Sequence, residues 1–355
     1  MVVLGGQHSS AEPLEDSVFQ GTVLGSPLWN VFYADSRAPL QKSGYTETAF
    51  ADDLNCWKAF RKVPRPAGMQ GPLPTHGPLL ADLRGAQREL HLWGQANQVL
   101  FDPTKESFHV LHRTLHFGEN FKVLGCLFDP QLLMHAAARH VATEAGWRLQ
   151  TLLRSRRFFT RPELVRIYKA QVLSFIESST PGLYHAAPSV LERVDRVQRR
   201  LLRELDLTEV DALRDYRLAP LSSRRDMGML GALHKLSLGT APQQLALLLP
   251  RRGLVHEPHR ARLRHWRPLH DKQLSTPAHF RSSDLMKRSL FGLAHCYNAL
   301  PQEAVDCKNV KLFQKQLQQS LLRYAECKDG DWEWLYSVNW RMIPRTKLDE
   351  LFRTN

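Results

Sequence analysis

Two carboxylates, Asp52 and Asp53, stand side by side within the apolar and aromatic run TAFADDLNCWKAF, residues 48–60. Like charges this close repel, and one of the pair is pushed toward its neutral form unless a cation sits between them. A bound divalent cation is one chemistry that explains such a pair. Ordinary turn chemistry is the other, because Asp is a favoured turn residue. Around the pair the residues alternate: Tyr45, Glu47, Ala49 and Ala51 fall on one side of an extended segment, and Thr46, Thr48 and Phe50 on the other. Beyond it Leu54, Cys56 and Lys58 alternate with Asn55, Trp57 and Ala59. This period predicts two strands of a hairpin with the carboxylates at its tip. Two-residue hairpin turns favour Asn-Gly or Asp-Gly, since a positive φ is needed there; Asp-Asp supplies no glycine. The residues alone leave both chemistries open.

A second motif lies upstream in FQGTVLGSPLWNVFYAD, residues 19–35. Ser26 and Pro27 read as N-cap and first helical position, with Leu28, Val31 and Phe32 as the buried face of the helix they open. Gly21 and Gly25 bracket a short loop where a ligand could approach the backbone. Such loops are common, so the motif gains weight only from its place ahead of the Asp pair.

The elements that must position these residues follow from period and composition. Residues 61–78 are rich in Pro and Gly without periodicity and read as a surface loop. Leu80, Leu83, Leu90 and Trp93 recur at helical spacing and predict a helix over 79–98; strands are expected at 107–111 and 121–128. Long helices follow Asp129 and Pro130. Thr160 to Glu163 and Ser189 to Glu192 read as capping boxes. In the helix after the second box, Val190, Val194, Val197, Leu201 and Leu205 form an apolar stripe, opposite Arg193, Arg196, Arg199, Arg200 and Arg203. Such a charged face can be simply a solvated one. From 242 to 278 the chain is rich in Pro, His and Arg and reads as a basic linker. Its His256, His259, His265 and His270 lack the Cys or carboxylate companions of a metal site.

The chain has 355 residues and a formal charge of +13, from 48 Lys and Arg against 35 Asp and Glu. That excess favours a polyanionic partner, above all nucleic acid. Five scattered cysteines without a C-x-x-C pair argue against a disulfide framework or a structural zinc. Without a span-length apolar run or a signal-peptide pattern at its start, the protein is expected to be intracellular, in nucleus or cytoplasm, with no membrane partner. Oligomeric state is not legible.

Taken together, QGTVLGSPLWN followed by FADDLN resembles the Gln-Gly loop and the (Phe/Tyr)-Ala-Asp-Asp motif of reverse transcriptases, most nearly those of non-LTR retrotransposons. Three downstream stretches are similar to the same family: ELHLWGQANQVLFDPTKESFHVL, FKVLGCLFDPQLLMHAA and the terminal CYNALPQEAV. The resemblance implies an α+β, partial right-hand polymerase. Its parts would be a palm at 1–128, a helical thumb at 129–207, a connector with the basic segment at 208–283, and a helical C-terminal module at 284–355. It implies Asp52 and Asp53 as catalytic ligands of Mg2+ or Mn2+ in two-metal nucleotidyl transfer, and Lys105 as a catalytic group near the pyrophosphate. Lys105 read by itself is a solvated turn lysine. Gln20, Gly21 and Gly25 would lie against template and nucleotide. Arg154, Arg156, Arg157, Lys169, Arg199 and Arg200 would track the nucleic-acid backbone. The implied partners are an RNA template, a DNA primer and dNTPs.

The sequence departs from the family in one respect. Reverse transcriptases take a further aspartate from an earlier palm strand, many tens of residues ahead of the Gln-Gly loop, and here only 19 residues precede Gln20. Asp16, with Glu12 and Glu15, lies too close to that loop to occupy a separate strand. The expectation is therefore an N-terminally truncated polymerase with impaired or absent catalysis; the alternative is a non-catalytic nucleic-acid-binding remnant.

Overall fold

The computed structural model describes residues 3–4, 7–8, 22–60, 76–112, 118–252, 270–276, 283–327, 332–337 and 350–352. The chain divides into two compact units, Met1–Phe108 and His109–Asn355. It is mixed helix and sheet, with helices dominant and all described strands in antiparallel pairs. Gln20, Gly21, Asp16 and the histidines His256, His259 and His265 lie outside the described residues.

In the first unit, β1 (Val3–Leu4) pairs with β2 (Gln7–His8). Helix α1 (Gly25–Phe32), a 3-10 turn (Tyr33–Ser36) and α2 (Arg37–Lys42) lead into the hairpin of β3 (Thr46–Phe50) and β4 (Asp53–Trp57). Helix α3 (His76–Ala96) then covers Leu40, Tyr45 and Leu54 with Leu83, Ala86 and Leu90. The expected start of α1 is corrected: its N-cap is Leu24, and the Thr22 hydroxyl, not Ser26, accepts the Gly25 N–H at 3.1 Å. The expected buried face of α1 is corrected too. Leu28, Val31 and Phe32 are exposed and no α1 residue is buried, because the helix packs through Trp29 instead.

The second unit opens with β5 (Phe121–Val123) and β6 (Cys126–Phe128), a hairpin where the sequence suggested one strand. Leu124 and Gly125, at φ +48° and +80°, turn the chain between them, the two left-handed residues a tight hairpin loop requires. Residues 107–111 form no strand; just beyond them the His112 N–H donates to the Pro130 carbonyl at 3.0 Å. Because β6 packs on α4 (His135–Arg154), this hairpin belongs with the helical unit and not with residues 1–108.

After α4 come α5 (Arg161–Tyr168), a π-helical turn (Lys169–Leu173), α6 (Ser174–Ser178), α7 (Thr180–Leu183) and α8 (Pro188–Glu204). Glu163 accepts the Thr160 N–H at 2.8 Å, as the first capping box requires. The second box does not form. Helix α8 starts at Pro188 with Ala187 as N-cap, and Glu192 is drawn instead to Arg199. The stripe Val190, Val194, Val197, Leu201 and Leu205 is buried where α8 packs on α4, as its spacing demands.

Helices α9 (Glu209–Tyr216), α10 (Leu221–Ser237) and α11 (Gln243–Leu248) precede α12 (Asp284–Arg288), α13 (Leu290–Asn298), α14 (Gln302–Val305) and α15 (Val310–Glu326). Helix α10 packs on both α13 and α15, so 208–250 shares one core with the C-terminal helices rather than linking two modules. The ends of the basic segment join this core. Leu249 and Leu274 are fully buried, and His270 is a buried core histidine whose Nε2 bonds the Tyr297 carbonyl at 3.0 Å.

Candidate functional site

The Asp pair sits where its alternation predicts. The hairpin register pairs Phe50 with Asp53 and Thr46 with Trp57, leaving Ala51 and Asp52 as a two-residue loop. Without a glycine the turn places Ala51 at φ +54°, a left-handed conformation that costs an L-residue about 1–2 kcal/mol. Such strain persists only where the surroundings hold it. Here the holder is α1, whose Trp29 indole donates to the Ala51 carbonyl at 3.0 Å. The helix of the first motif and the turn of the second therefore meet, 22 residues apart in sequence.

Behind the turn an aromatic ladder carries this contact to α3. Trp29 stacks on Tyr33 at 5.1 Å, Tyr33 meets Trp93 edge-on at 5.7 Å, and Trp93 leans on Phe101 at 6.5 Å. Burial, with a smaller contribution from the Asp52 charge, holds the Tyr33 phenol above its ordinary range, which places Asp52 beside this ladder. Gly94 allows the return of the chain under α3: a Cβ there would stand 2.6 Å from the Val99 carbonyl and 2.8 Å from the Phe101 ring.

The base of the hairpin is tied by charge. Tyr45 donates to Asp82 at 2.5 Å, while Lys58 bonds both Asp82 oxygens at 3.0 and 3.1 Å and the Ser43 carbonyl at 3.0 Å. These bonds hold the Asp82 carboxyl below the usual carboxylate range. Buried Glu47 accepts from Gln41 at 3.1 Å and faces Arg37 at 3.9 Å. The aromatic flanks of the Asp pair lie outside the core. Phe50 is 65% and Trp57 47% exposed, because Thr46, Thr48, Phe50, Asp53 and Trp57 share the outer face while Tyr45 and Glu47 point inward.

Asp52 and Asp53 are both exposed, one in the turn and one opening β4. Two hard oxygen donors on one turn suit one divalent cation, whereas a pair of cations needs a carboxylate bridging from another element. Among the described residues no three His, Cys, Asp or Glu side chains come together as a metal site. The described donors therefore do not fit a two-cation centre. Gly25 is the first residue of α1. Lys105 stands in an exposed turn, 3.9 Å from Asp102.

In the second unit the expected phosphate-tracking residues separate into two groups. Arg154 closes α4 and Arg157 lies over the Phe158 ring at 4.7 Å, both exposed. Arg156 instead pairs with Glu204 at 2.5 Å, Arg199 makes a bidentate pair with Glu192 at 2.6 and 2.7 Å, and Arg200 bonds Gln150. Lys169 is the clearest correction. The π-helical turn directs its ammonium to the Tyr216 carbonyl at the end of α9, and burial with nearby Arg224 and Arg217 holds it below the usual lysine range. It caps a helix and is not on a phosphate-facing surface.

Two acidic features of this unit had no signal in the sequence. Burial pushes Asp226 up to about 7, although Tyr184 donates to it at 2.7 Å and Arg225 stands near. Glu209 is raised to about 7 by burial and by Glu333 beside it, next to the shallow depression that Arg196, Arg199 and Arg203 line. Both arise from helices that approach only after folding. Among the described residues no helix is long and apolar enough to cross a membrane. No known family model matches the chain, and neither a curated protein nor a solved structure matches it.

Proposed function

We propose that this chain is a reverse-transcriptase-type protein of the non-LTR retrotransposon kind that binds RNA and DNA but performs little or no nucleotidyl transfer by itself. The observation that carries the reading is the Trp29 to Ala51 hydrogen bond. It joins the helix after the Gln-Gly loop to the turn bearing Asp52 and Asp53, and these are the two motifs on which the resemblance rests. The strained Ala51 supports it, since backbone strain gathers where a functional turn must be presented. On this reading residues 1–108 are palm-like and the helices from α4 to α8 thumb-like. Asp52 and Asp53 would hold one Mg2+ or Mn2+ weakly, Gln20, Gly21 and Gly25 would border template and dNTP, and the setting is intracellular. The charge distribution supports the binding half. Up to Phe108 the chain has 9 Lys and Arg against 11 Asp and Glu, and after it 39 against 24.

The test is primer extension on an RNA template with Mg2+ or Mn2+, for the chain and for Asp52→Asn. The expected result is near-background synthesis that the substitution leaves unchanged. Robust synthesis abolished by Asp52→Asn would show that a further carboxylate completes the site, with Asp16 the first to substitute next.

A further inference from the structure

We propose that the outward face of α4 and the turn after it form a stacking track for single-stranded nucleic acid, with Trp147 and Phe158 as base platforms and Arg154 and Arg157 as phosphate contacts. The proposal rests on the nucleic-acid reading above and names the form of nucleic acid.

Trp147, Thr151 and Arg154 follow one another at i, i+4 and i+7 and share one face of α4, all three exposed. The opposite face, with Ala138, Val141, Ala145, Leu149 and Leu152, is buried in the core. Trp147 is 64% and Phe158 69% exposed. Isolated exposed aromatics are unremarkable; these two are set among cations. Residues 135–162 hold six arginines and one acid, Glu144. Arg148 is occupied by the Gln171 carbonyl and the Phe175 ring, and Arg156 by Glu204. Arg154 and Arg157 face solvent, and the Arg157 guanidinium lies against Phe158. Compensation of the α4 dipole accounts for a basic residue at its C-terminus, but not for the two rings.

The rings decide the form of the partner. A duplex stacks its bases on each other and offers phosphates, which arginines alone satisfy. Unpaired bases offer free π-faces, and aromatic platforms beside cations are how such strands are held. Trp147 and Arg154 lie about 10 Å apart along the helix by its rise per residue, so stacking and phosphate contact can engage one strand together.

The experiment is fluorescence anisotropy of the full chain with a labelled oligothymidylate and with a duplex of equal length, at several salt concentrations. Trp147→Ala and Phe158→Ala should each weaken oligothymidylate binding about 5-fold to 100-fold and leave duplex binding unchanged, while Trp147→Phe and Phe158→Tyr should largely restore it. Arg154→Gln should weaken both and flatten the salt dependence. Alanine variants that bind the oligothymidylate like the parent chain, with binding still falling as salt rises, would overturn the track and leave the nucleic-acid reading standing. Failure of the parent chain to bind either nucleic acid at low salt would overturn both. Preferential binding to phosphatidylserine vesicles, lost in Phe158→Ala, would reassign the face to a membrane surface.

Discussion

The two units solve the problem of folding differently. Up to Phe108 the buried apolar side chains among the described residues are Tyr33, Leu40, Tyr45 and Ala86, while the second unit has two extensive clusters around Leu149, Tyr168 and Leu201 and around Leu230, Tyr297 and Phe313. The first unit compensates with directional contacts: the Trp29 bond, the ladder through Tyr33 and Trp93, and the Tyr45, Asp82 and Lys58 tie. Its outer surface leaves Val23, Leu24, Leu28, Val31, Phe32, Phe50 and Trp57 exposed. Where hydrophobic burial is thin, geometry depends on a few residues. Where it is deep, the surface is free to carry charge.

The largest expected effect is in the deep cores. Phe313 is fully buried and stacks on His234 at 4.2 Å, so Phe313→Ala should destabilise the second unit by about 3–5 kcal/mol. Denaturant unfolding followed by far-ultraviolet circular dichroism would measure this. An effect under ~1 kcal/mol would mean that this core is not the one that holds the helices.

Next is the buried pair between α8 and α10, where Arg225 bonds Asp195 at 2.5 and 2.9 Å. Asp195→Asn leaves the guanidinium without its charge partner and should cost about 3 kcal/mol. The double substitution Asp195→Leu with Arg225→Met should recover most of that loss. If the double variant is as unstable as the single one, packing and not charge determines this contact.

Raised and depressed carboxyls also contribute to stability with opposite pH dependence. Asp226 and Glu209, both raised to about 7, hold protons in the folded state that an unfolded chain releases near 4. These two carboxyls therefore contribute stability that is full below about pH 4, is lost as pH rises toward about 7, and changes little above it; His185, His234 and His270, which burial holds below the usual imidazole range, contribute with the opposite sign. Asp226→Asn should flatten much of this slope. Asp82 works in reverse, since its depressed carboxyl supports the first unit above about pH 4 and that support is lost as pH falls through the folded value. Amide exchange across this range, followed separately for residues 40–58 and for residues 188–237 in the parent chain and in Asp226→Asn, separates the two contributions. An Asp226→Asn variant with the slope of the parent chain would contradict the assignment.

The smallest effect tests the holding of the turn. Trp29→Phe keeps the stacking on Tyr33 but removes the bond to Ala51, and should cost about 1 kcal/mol. Amide exchange at Asp52 and Asp53 should rise in this variant. Exchange unchanged from the parent would mean the turn needs no support from α1.

What the sequence revealed follows the reach of each signal. The hairpin around Asp52 and Asp53 and the stripe of α8 were legible because strict alternation and helical spacing are local. The exposed face of α1 was not, because Leu28, Val31 and Phe32 have the right spacing for burial and only the position of Trp93 on another helix shows that Trp29 and Tyr33 are used instead. The turn at Leu124 and Gly125 was missed because the apolar run hides two left-handed residues. Lys169 reads as a phosphate contact and Glu192 as the acid of a capping box; their partners in the fold, Tyr216 and Arg199, lie 47 and 7 residues away. Charge signals in sequence say nothing of which cations folding consumes.

The central proposal is that the second unit grips nucleic acid through phosphates while the first contributes no catalysis unaided. Its most direct test is the salt dependence of binding of the full chain to unrelated RNA and DNA oligonucleotides. The account predicts that log K falls steeply and linearly with log salt, alike for unrelated sequences, and is unchanged by Asp52→Asn. Binding that is flat from low to physiological salt, or confined to one sequence, would contradict it.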